Sequence, residues 1–524
     1  MIRSGLYGLK QLFTATIIGG PVLAGFVMSM NLWARGKRWL AAIPVFSGML
    51  LDALLIIPVY FSVDHIRSIV FRNLLAIGLL LFLQTVIAFL VRAWLEKCKK
   101  TGSFIFPRID ENLYHRRMTF PLVIIATIYF FTDFVFPFYS WILLGFYLFP
   151  NVYAYLHICN TYGNRKILKP IPSSIVFLGC LFPFTFTFYE YLSPVTNKGF
   201  LFFTWLNVAL GYYLIFVFYI FLFILALEIV LLVNKLTRVV PGDVLKNKYS
   251  LMVTLLVMIT SSISIAAIGT HINNHPVIHK YSIIIPKKSS TLNSLKVICV
   301  ADLHLKNITS TAFLKNVVNT IRMTNPDLIV IHGDIAETYG KTSNDKLDEF
   351  LELLKGLKAT YGIYGVKGNH EYPGDRADKM NFYNRAGITM LADSLIELDE
   401  KFCIAGLKYR GNHKKRPVDS LVRCRTKDLP ILLLDHAPYC LEEAFKNKID
   451  VQFSGHTHYG QIWPFNYITE AVYDMAWGYR KSNYTHLFVT CGAQDALLPG
   501  RQDFSVPVRT GSVSEIMEIG ITFK

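Results

Sequence analysis

The spacing of apolar residues along the chain changes near residue 270. Upstream they form long runs with few polar interruptions. Downstream they fall into short runs separated by stretches of helical period. The upstream runs cover residues 12–33, 40–61, 73–91, 120–157, 175–191, 200–233 and 251–268. Each is long enough to cross a bilayer, which takes about 20 residues of helix. The 120–157 run is too long for one crossing, since at about 1.5 Å per residue it reaches nearly twice the hydrocarbon thickness. Pro137 stands at its middle, which predicts a tight hairpin and brings the expected total to eight spans.

Downstream, residues 295–300, 328–331, 363–366, 431–434 and 451–453 read as buried strands of a parallel or mixed sheet. Between the first two, residues 312–324 place Leu314, Val317, Val318 and Ile321 on one helical face. Leu347, Phe350, Leu351 and Leu354 repeat that pattern before the third strand. Strand–helix–strand alternation predicts an α/β domain whose ligands gather at the carboxyl ends of the strands. The expected organisation is a multi-span helical membrane domain over 1–270, a juxtamembrane linker over 271–290 and an α/β domain over 291–524.

Each predicted strand runs into a polar cluster. These are Asp302-Leu303-His304, Gly333-Asp334, Gly368-Asn369-His370-Glu371, Asp435-His436 and Gly455-His456-Thr457-His458. A single buried histidine is more often an ordinary core residue; five clusters in order, each at a strand end, are not. Asp302, His304, Asp334, Asn369, His436, His456 and His458 are candidate metal ligands with no cysteine among them. Imidazole and carboxylate together suit manganese, iron or zinc better than calcium or magnesium. Two cations about 3.5–4 Å apart need a shared carboxylate, and Asp334 is placed to supply it.

The series D-x-H, G-D, G-N-H-E, a lone H and G-H-x-H resembles the calcineurin-like metallophosphoesterase superfamily over roughly 295–523. Gly460-Gln461-Ile462 and Pro507-Val508-Arg509 are similar to its membrane-attached bacterial branch. The resemblance implies a mixed β-sandwich flanked by helices and two divalent metal ions (Mn, Fe or Zn). It implies one metal on Asp302, His304, Asp334 and His458, and a second on Asp334, Asn369, His436 and His456. His370 would serve the leaving oxygen, oriented by a carboxylate for which Glu371 is the nearest candidate. One position departs from the pattern: Glu337 stands where the family often has Asp. That position usually lies behind the ligands, so the departure bears on their orientation.

The formal charge of +17 suggests nucleic acid until it is divided. Residues 1–270 carry 22 Lys and Arg against 9 Asp and Glu, and the remainder 31 against 27. The excess is therefore topological and faces anionic lipid; no nucleic-acid-binding signature accompanies it. Its loops carry Arg35, Lys37 and Arg38; Lys97, Lys99, Lys100, Arg108 and Arg116; Arg165, Lys166 and Lys169; and Lys235, Arg238, Lys246 and Lys248. With eight spans they share one side, which the positive-inside rule makes cytoplasmic. The expected location is the cytoplasmic (inner) membrane, with the α/β domain on the extracytoplasmic side.

Other features add less. The eight cysteines show neither C-x-x-C nor zinc-finger spacing. His271, His275 and His279 read as a polar juxtamembrane segment, with an accessory metal site as the alternative. Residues 408–416 read as a basic loop, either solvated or docked on an anionic headgroup, and Asp52 and Glu228 fall within apolar runs. A shared water of lowered pKa and an in-line phosphoryl group give hydrolysis as the expected chemistry. The substrate is a phosphoester, and so large an anchor favours a lipid or cell-envelope one. The alternative is a transporter or sensor whose phosphoesterase domain is regulatory. Oligomeric state is not legible.

Overall fold

The computed structural model describes residues 197–524 apart from 242–243, 245–246, 307–308, 337–343, 372–376, 411–417, 440 and 495–506, together with positions 150, 151, 153, 154 and 157. The spans expected over residues 12–191 therefore lie outside the described residues, those five helical positions excepted. Two of the expected apolar runs form helices. Helix α1 (Asn197–Thr237) is one unbroken helix, and α2 (Lys248–Asn274) follows it. Within them, Val208–Thr237 and Tyr249–Asn274 have the length and composition of membrane spans.

Asn234 closes α1, its side chain bonding both the N–H (2.7 Å) and the carbonyl (3.0 Å) of Val240. Asn247 caps α2 by accepting from the Tyr249 N–H at 2.8 Å. Near the other end, the Tyr212 hydroxyl meets Thr270 Oγ1 at 3.0 Å, which ties the start of α1 to the end of α2. Toward the turn, Ile229, Val230, Leu232, Val233 and Leu236 of α1 face outward, as do Val253, Leu256 and Val257 of α2. So broad an apolar surface is unsuited to water and suited to lipid.

After α2 the pattern turns to strands. The first sheet has the order β1 (Val277–Ile285), β12 (Glu515–Phe523), β2 (Ser294–Val300), β3 (Leu328–His332), β4 (Ile363–Val366), β5 (Thr389–Leu391). The second has the order β10 (Gly478–Ser482), β11 (Thr485–Val489), β9 (Val451–Ser454), β8 (Ile431–Leu434), β7 (Phe402–Gly406), β6 (Ser394–Leu398). β2 to β5 are mutually parallel, as are β7, β8, β9 and β11; β12, β6 and β10 run antiparallel to their inner neighbours. The five expected strands and the helix α3 (Thr311–Met323) lie within one residue of their expected bounds.

Three apolar layers follow from the two-residue period of the strands. Val297, Cys299, Val330 and Val366 of the first sheet interdigitate with Ile404, Leu434, Phe453 and Phe488 of the second. The outer face of the first sheet, with Ile298, Val300, Ile329 and Ile331, is covered by α3, α4 (Asn344–Leu354) and α5 (Ala377–Arg385). The outer face of the second packs against α6 (Val418–Arg423) and α7 (Glu442–Lys446). The result is the helix-flanked mixed sandwich.

The segment expected as a linker has more structure than the sequence suggested. Residues 271–274 complete α2, and β1 pairs in register with β12 from Val277↔Glu515 to Ile285↔Phe523. Its mixed sequence hides the strand: His279, Tyr281, Ile283 and Ile285 turn inward while Lys280, Ser282 and Ile284 face out, so apolar and polar residues fall on both faces. His279 does not gather with other histidines; it bonds the buried carboxylate of Glu515.

Candidate metal centre

The carboxyl ends of β2, β3 and β4 meet those of β8 and β9 at one edge of the sandwich, and each delivers its cluster there. The turns that do so are tight. Asp302 (φ 55°), His304 (φ 42°), Asp334 (φ 50°), His456 (φ 73°) and His458 (φ 47°) all take the left-handed backbone that non-glycine residues rarely adopt. Such strain persists where surrounding bonds fix it, and it clusters at functional sites. Here the Asp302 N–H donates to Gly333 O (3.0 Å), the His304 N–H to Asp334 O (2.9 Å) and the Gly455 N–H to His436 O (2.8 Å).

Two glycines are required by the ligands themselves. A Cβ on Gly333 would lie 2.2 Å from His436 Nδ1, and one on Gly368 would lie 2.1 Å from Asp334 Oδ1. No side chain fits where a ligand already stands.

The side chains form two contiguous groups. In the first, His458 Nε2 lies 3.5 Å and His304 Nε2 3.8 Å from Asp302 Oδ1, with the two nitrogens 3.1 Å apart. In the second, His436 Nε2 lies 3.2 Å from Asp334 Oδ2 and 3.1 Å from Asn369 Oδ1. His456 joins that group through a ligand atom within 4.8 Å of the others. Asp334 Oδ2 is also 3.9 Å from His304 Nε2, so this one carboxylate faces both groups. All seven expected ligands are thus brought together.

The donor set fits a divalent cation. Asp302 Oδ1 is buried and accepts no hydrogen bond, a costly state for a carboxylate oxygen unless a cation answers it. Donor atoms 3–4 Å apart are spaced as ligands are when each stands about 2.1 Å from one metal ion. His436 donates from Nδ1 to the His332 carbonyl (2.8 Å), which fixes the tautomer and turns Nε2 toward the site. The Tyr439 hydroxyl holds His456 Nε2 at 3.2 Å, leaving Nδ1 for a cation.

Charge in the site is shared unevenly. Burial pushes the Asp302 carboxyl up, and Asp334 adds to the effect. Burial also works to raise Asp334, but the imidazoles of His436 and His370 outweigh it and hold that carboxyl well below its usual range. Burial works to lower His436, yet Asp334 and Asp302 push it up to about 10, while burial and His436 hold His456 down to about 3. A divalent cation, when bound, would be held by the neutral form of His436.

His370 stands at the mouth, its side chain 21% exposed and its Nε2 3.9 Å from Asp334 Oδ2. The hydrogen bonds of Glu371 run elsewhere than toward that ring. Its carboxylate accepts the N–H groups of Asp334 (3.1 Å), Ile335 (2.6 Å) and Gly368 (2.7 Å) and the hydroxyl of Tyr383 (3.2 Å). Glu371 therefore ties the Asp334 turn to the Gly368 turn, and Asp334 is a carboxylate that faces His370. Glu337 lies outside the described residues.

Three contributors had no assigned role in the sequence reading. Arg509 is fully buried and donates to the carbonyls of Cys491 (2.8 Å) and Val513 (2.9 Å) and to Ser512 Oγ (2.8 Å), with Nη2 3.4 Å from His458 Nδ1. Tyr473 stacks on Tyr439 at 5.5 Å and so backs His456. Gly492 admits Asp302, whose Cβ would lie 2.7 Å from any Cβ placed there. Of the three, only Arg509 lies in a stretch the sequence singles out, Pro507-Val508-Arg509.

Comparison with known proteins agrees with this geometry. Residues 295–460 match the family described as Calcineurin-like phosphoesterase. The chain is 26% identical over 341 residues to a "Transmembrane protein with metallophosphoesterase domain" of Danio rerio, covering 60% of this chain and 73% of that protein. It is 28% identical over 204 residues to an "Uncharacterized metallophosphoesterase" of Helicobacter pylori, covering 38% of this chain and about half (54%) of that one. Over 88 residues it is 35% identical to a "UDP-2,3-diacylglucosamine pyrophosphatase" of Chlamydia muridarum, 17% of this chain and 26% of the other.

Proposed function

We propose that this chain, whose residues 295–460 match the calcineurin-like phosphoesterase family and whose relatives include a transmembrane protein with a metallophosphoesterase domain, is a membrane-anchored, dinuclear phosphoric ester hydrolase acting on a lipid or cell-envelope phosphoester. One observation carries the dinuclear reading: Asp334 Oδ2 stands 3.2 Å from His436 Nε2 and 3.9 Å from His304 Nε2, where a bridging carboxylate belongs. Asp302, His304 and His458 would complete one cation's ligands; Asn369, His436 and His456 would complete the other's. The nitrogen-rich donor set favours Mn, Fe or Zn.

Bound divalent cations supply a water of lowered pKa and positive charge opposite the phosphoryl oxygens. The chain's own residues do the rest. The water gives up one proton to solvent, its oxygen bonds to phosphorus as the P–O bond to the ester oxygen breaks, and protonated His370 gives the leaving oxygen its proton. Glu371 and Arg509 keep the ligand turns in place so that little reorganisation is needed.

The lipid reading draws on the two apolar helices and on the lipid-precursor pyrophosphatase among the relatives. The basic loops of residues 1–270 favour the cytoplasmic membrane, with the catalytic domain on the extracytoplasmic face. The test is metal content with hydrolysis of bis(p-nitrophenyl) phosphate and p-nitrophenyl phosphate, in the unvaried chain and Asp334→Asn. We expect two ions per chain and turnover of at least one ester, both lost in the variant. Two ions retained by Asp334→Asn would refute the bridging assignment.

A further inference from the structure

The segment that follows the last ligand has its polarity reversed. Helix α8 (Phe465–Val472) begins a few residues after His458, and its one buried residue is Asn466. Its large outward residues are Tyr467, Ile468 and Val472, exposed by 60%, 53% and 69%, with Trp463 just before it exposed by 45%; the one charge among its exposed residues, Glu470, accepts the Tyr459 hydroxyl. In the same domain α3 does the opposite, burying Phe313, Leu314, Val317, Val318 and Ile321. A helix that turns aliphatic and aromatic side chains outward is built for a medium other than water.

Its neighbours identify the medium. Phe465 stacks on Phe218 of α1 at 5.4 Å, and the Tyr219 hydroxyl donates to the Trp463 carbonyl (3.1 Å) and meets Thr510 Oγ1 (2.6 Å). On α2, the Gly269 carbonyl accepts the Arg509 N–H at 2.9 Å. These contacts fall on the flank of the helix pair, not beyond its end. Tyr212 is level with Thr270, and Tyr219 lies seven residues further in, about 10 Å at 1.5 Å per residue. A hydrocarbon layer about 30 Å thick takes up about 20 residues; counted from Tyr249, it ends close to Gly269. Any bilayer that covers the exposed apolar residues of α1 and α2 therefore reaches Trp463 and the start of α8. Trp and Tyr are the side chains that favour that level.

We propose that Trp463 and α8 lie in the interfacial layer of the bilayer and hold the mouth of the metal centre at the lipid surface. This rests on the hydrolase reading above and specifies how the enzyme meets its substrate. Tyr473 ends α8 and stacks on Tyr439, whose hydroxyl reaches His456. One short helix, about 12 Å long at eight residues, thus connects the buried flank of α1 with the wall of the site. A phosphoester carried by a lipid reaches the cations by lateral diffusion, its acyl chains remaining in the layer that α8 occupies.

The experiment uses the full chain in phosphatidylcholine–phosphatidylglycerol vesicles. Ile468→Cys is labelled with an environment-sensitive fluorophore, the unvaried chain serving as labelling background. Quenching by lipid nitroxide and shielding from aqueous iodide are expected. Iodide quenching would overturn the proposal, as would shielding that depends on protein density, which would mark a second copy of the chain as the occupant. In parallel, Ile468→Glu/Val472→Glu should lose at least tenfold on a fluorogenic phosphodiester anchored in the vesicle while staying within twofold on bis(p-nitrophenyl) phosphate. Equal effects on both substrates, or none, would overturn it. If the unvaried chain cleaves neither ester, the hydrolase reading fails, and the quenching result still decides where α8 lies.

Discussion

Arg509 Nη2 lies 3.4 Å from His458 Nδ1, while the backbone N–H of the same arginine donates to Gly269 of α2 at 2.9 Å. One residue thus abuts a candidate metal ligand with its guanidinium and an apolar helix with its main chain. Its side chain is fully buried, and its donors are used by loop carbonyls from two segments. Loss of a buried, bonded charge leaves those acceptors unanswered.

Arg509→Leu should therefore destabilise the chain by about 3 kcal/mol or more and lower its metal content. Thermal unfolding in detergent and metal analysis of the purified protein would check both. Unchanged metal content with full stability would remove Arg509 from the site.

Glu371→Gln tests the tie between the Asp334 and Gly368 turns. A carboxylate that accepts three backbone N–H groups is replaced by an amide with one acceptor oxygen and two donors. Metal affinity should fall about 10- to 100-fold, the range seen when support behind a ligand is removed. A metal titration followed by activity measures it, and an unchanged affinity would contradict the role.

His370→Ala separates chemistry from binding. His370 also clusters with His304 and Asp334, but the proposed ligand sets of both cations are complete without it, so the variant should keep its metal. Turnover should drop by about 100- to 10,000-fold, the usual worth of a positioned proton donor. The loss should be smaller for an ester with an acidic leaving group, which needs no proton. Equal losses across leaving groups would argue for charge stabilisation instead.

The His279–Glu515 bond predicts a pH response away from the metals. The hydrogen bond that His279 donates to the Glu515 carboxylate raises the pKa of His279, burial opposing it. Burial works to raise Glu515, but His279 and the N–H of Cys491 hold it below its usual range. A raised histidine stabilises fully below its unfolded value, about 6.5, and loses that contribution as pH rises through the folded value. A depressed carboxylate stabilises above its unfolded value, about 4.5, and loses it on acidification. The pair therefore contributes most between about 4.5 and 6.5. An NMR titration should find His279 above its ordinary pKa, returning toward it in Glu515→Gln; an unmoved value would refute the coupling.

Much of the site was legible because its signal is local. Each ligand cluster follows an apolar run within a few residues, so strand ends and ligands could be read together. The positions that escaped are those whose meaning lies in a distant partner. Nothing around Arg509 announces that it meets His458, and nothing around Tyr473 announces Tyr439. Glu371 was located, but the sequence places it beside His370 while the fold turns it toward backbone amides three and more residues away. β1 was read as a linker because half its positions are polar, and the strand that completes it lies at the far end of the chain.

That last separation has a consequence for how the protein is made. The sheet neighbour of β1 is β12, whose final residue Phe523 is the penultimate residue of the sequence. Synthesis delivers α2 and β1 more than two hundred residues before their partner exists. Until Glu515–Phe523 leaves the ribosome, β1 offers an unpaired ladder and β2 lacks its antiparallel neighbour. The apolar helix pair can form early, but the domain that follows it cannot close, and a chain that stops before Glu515 would leave the edges of both β1 and β2 open.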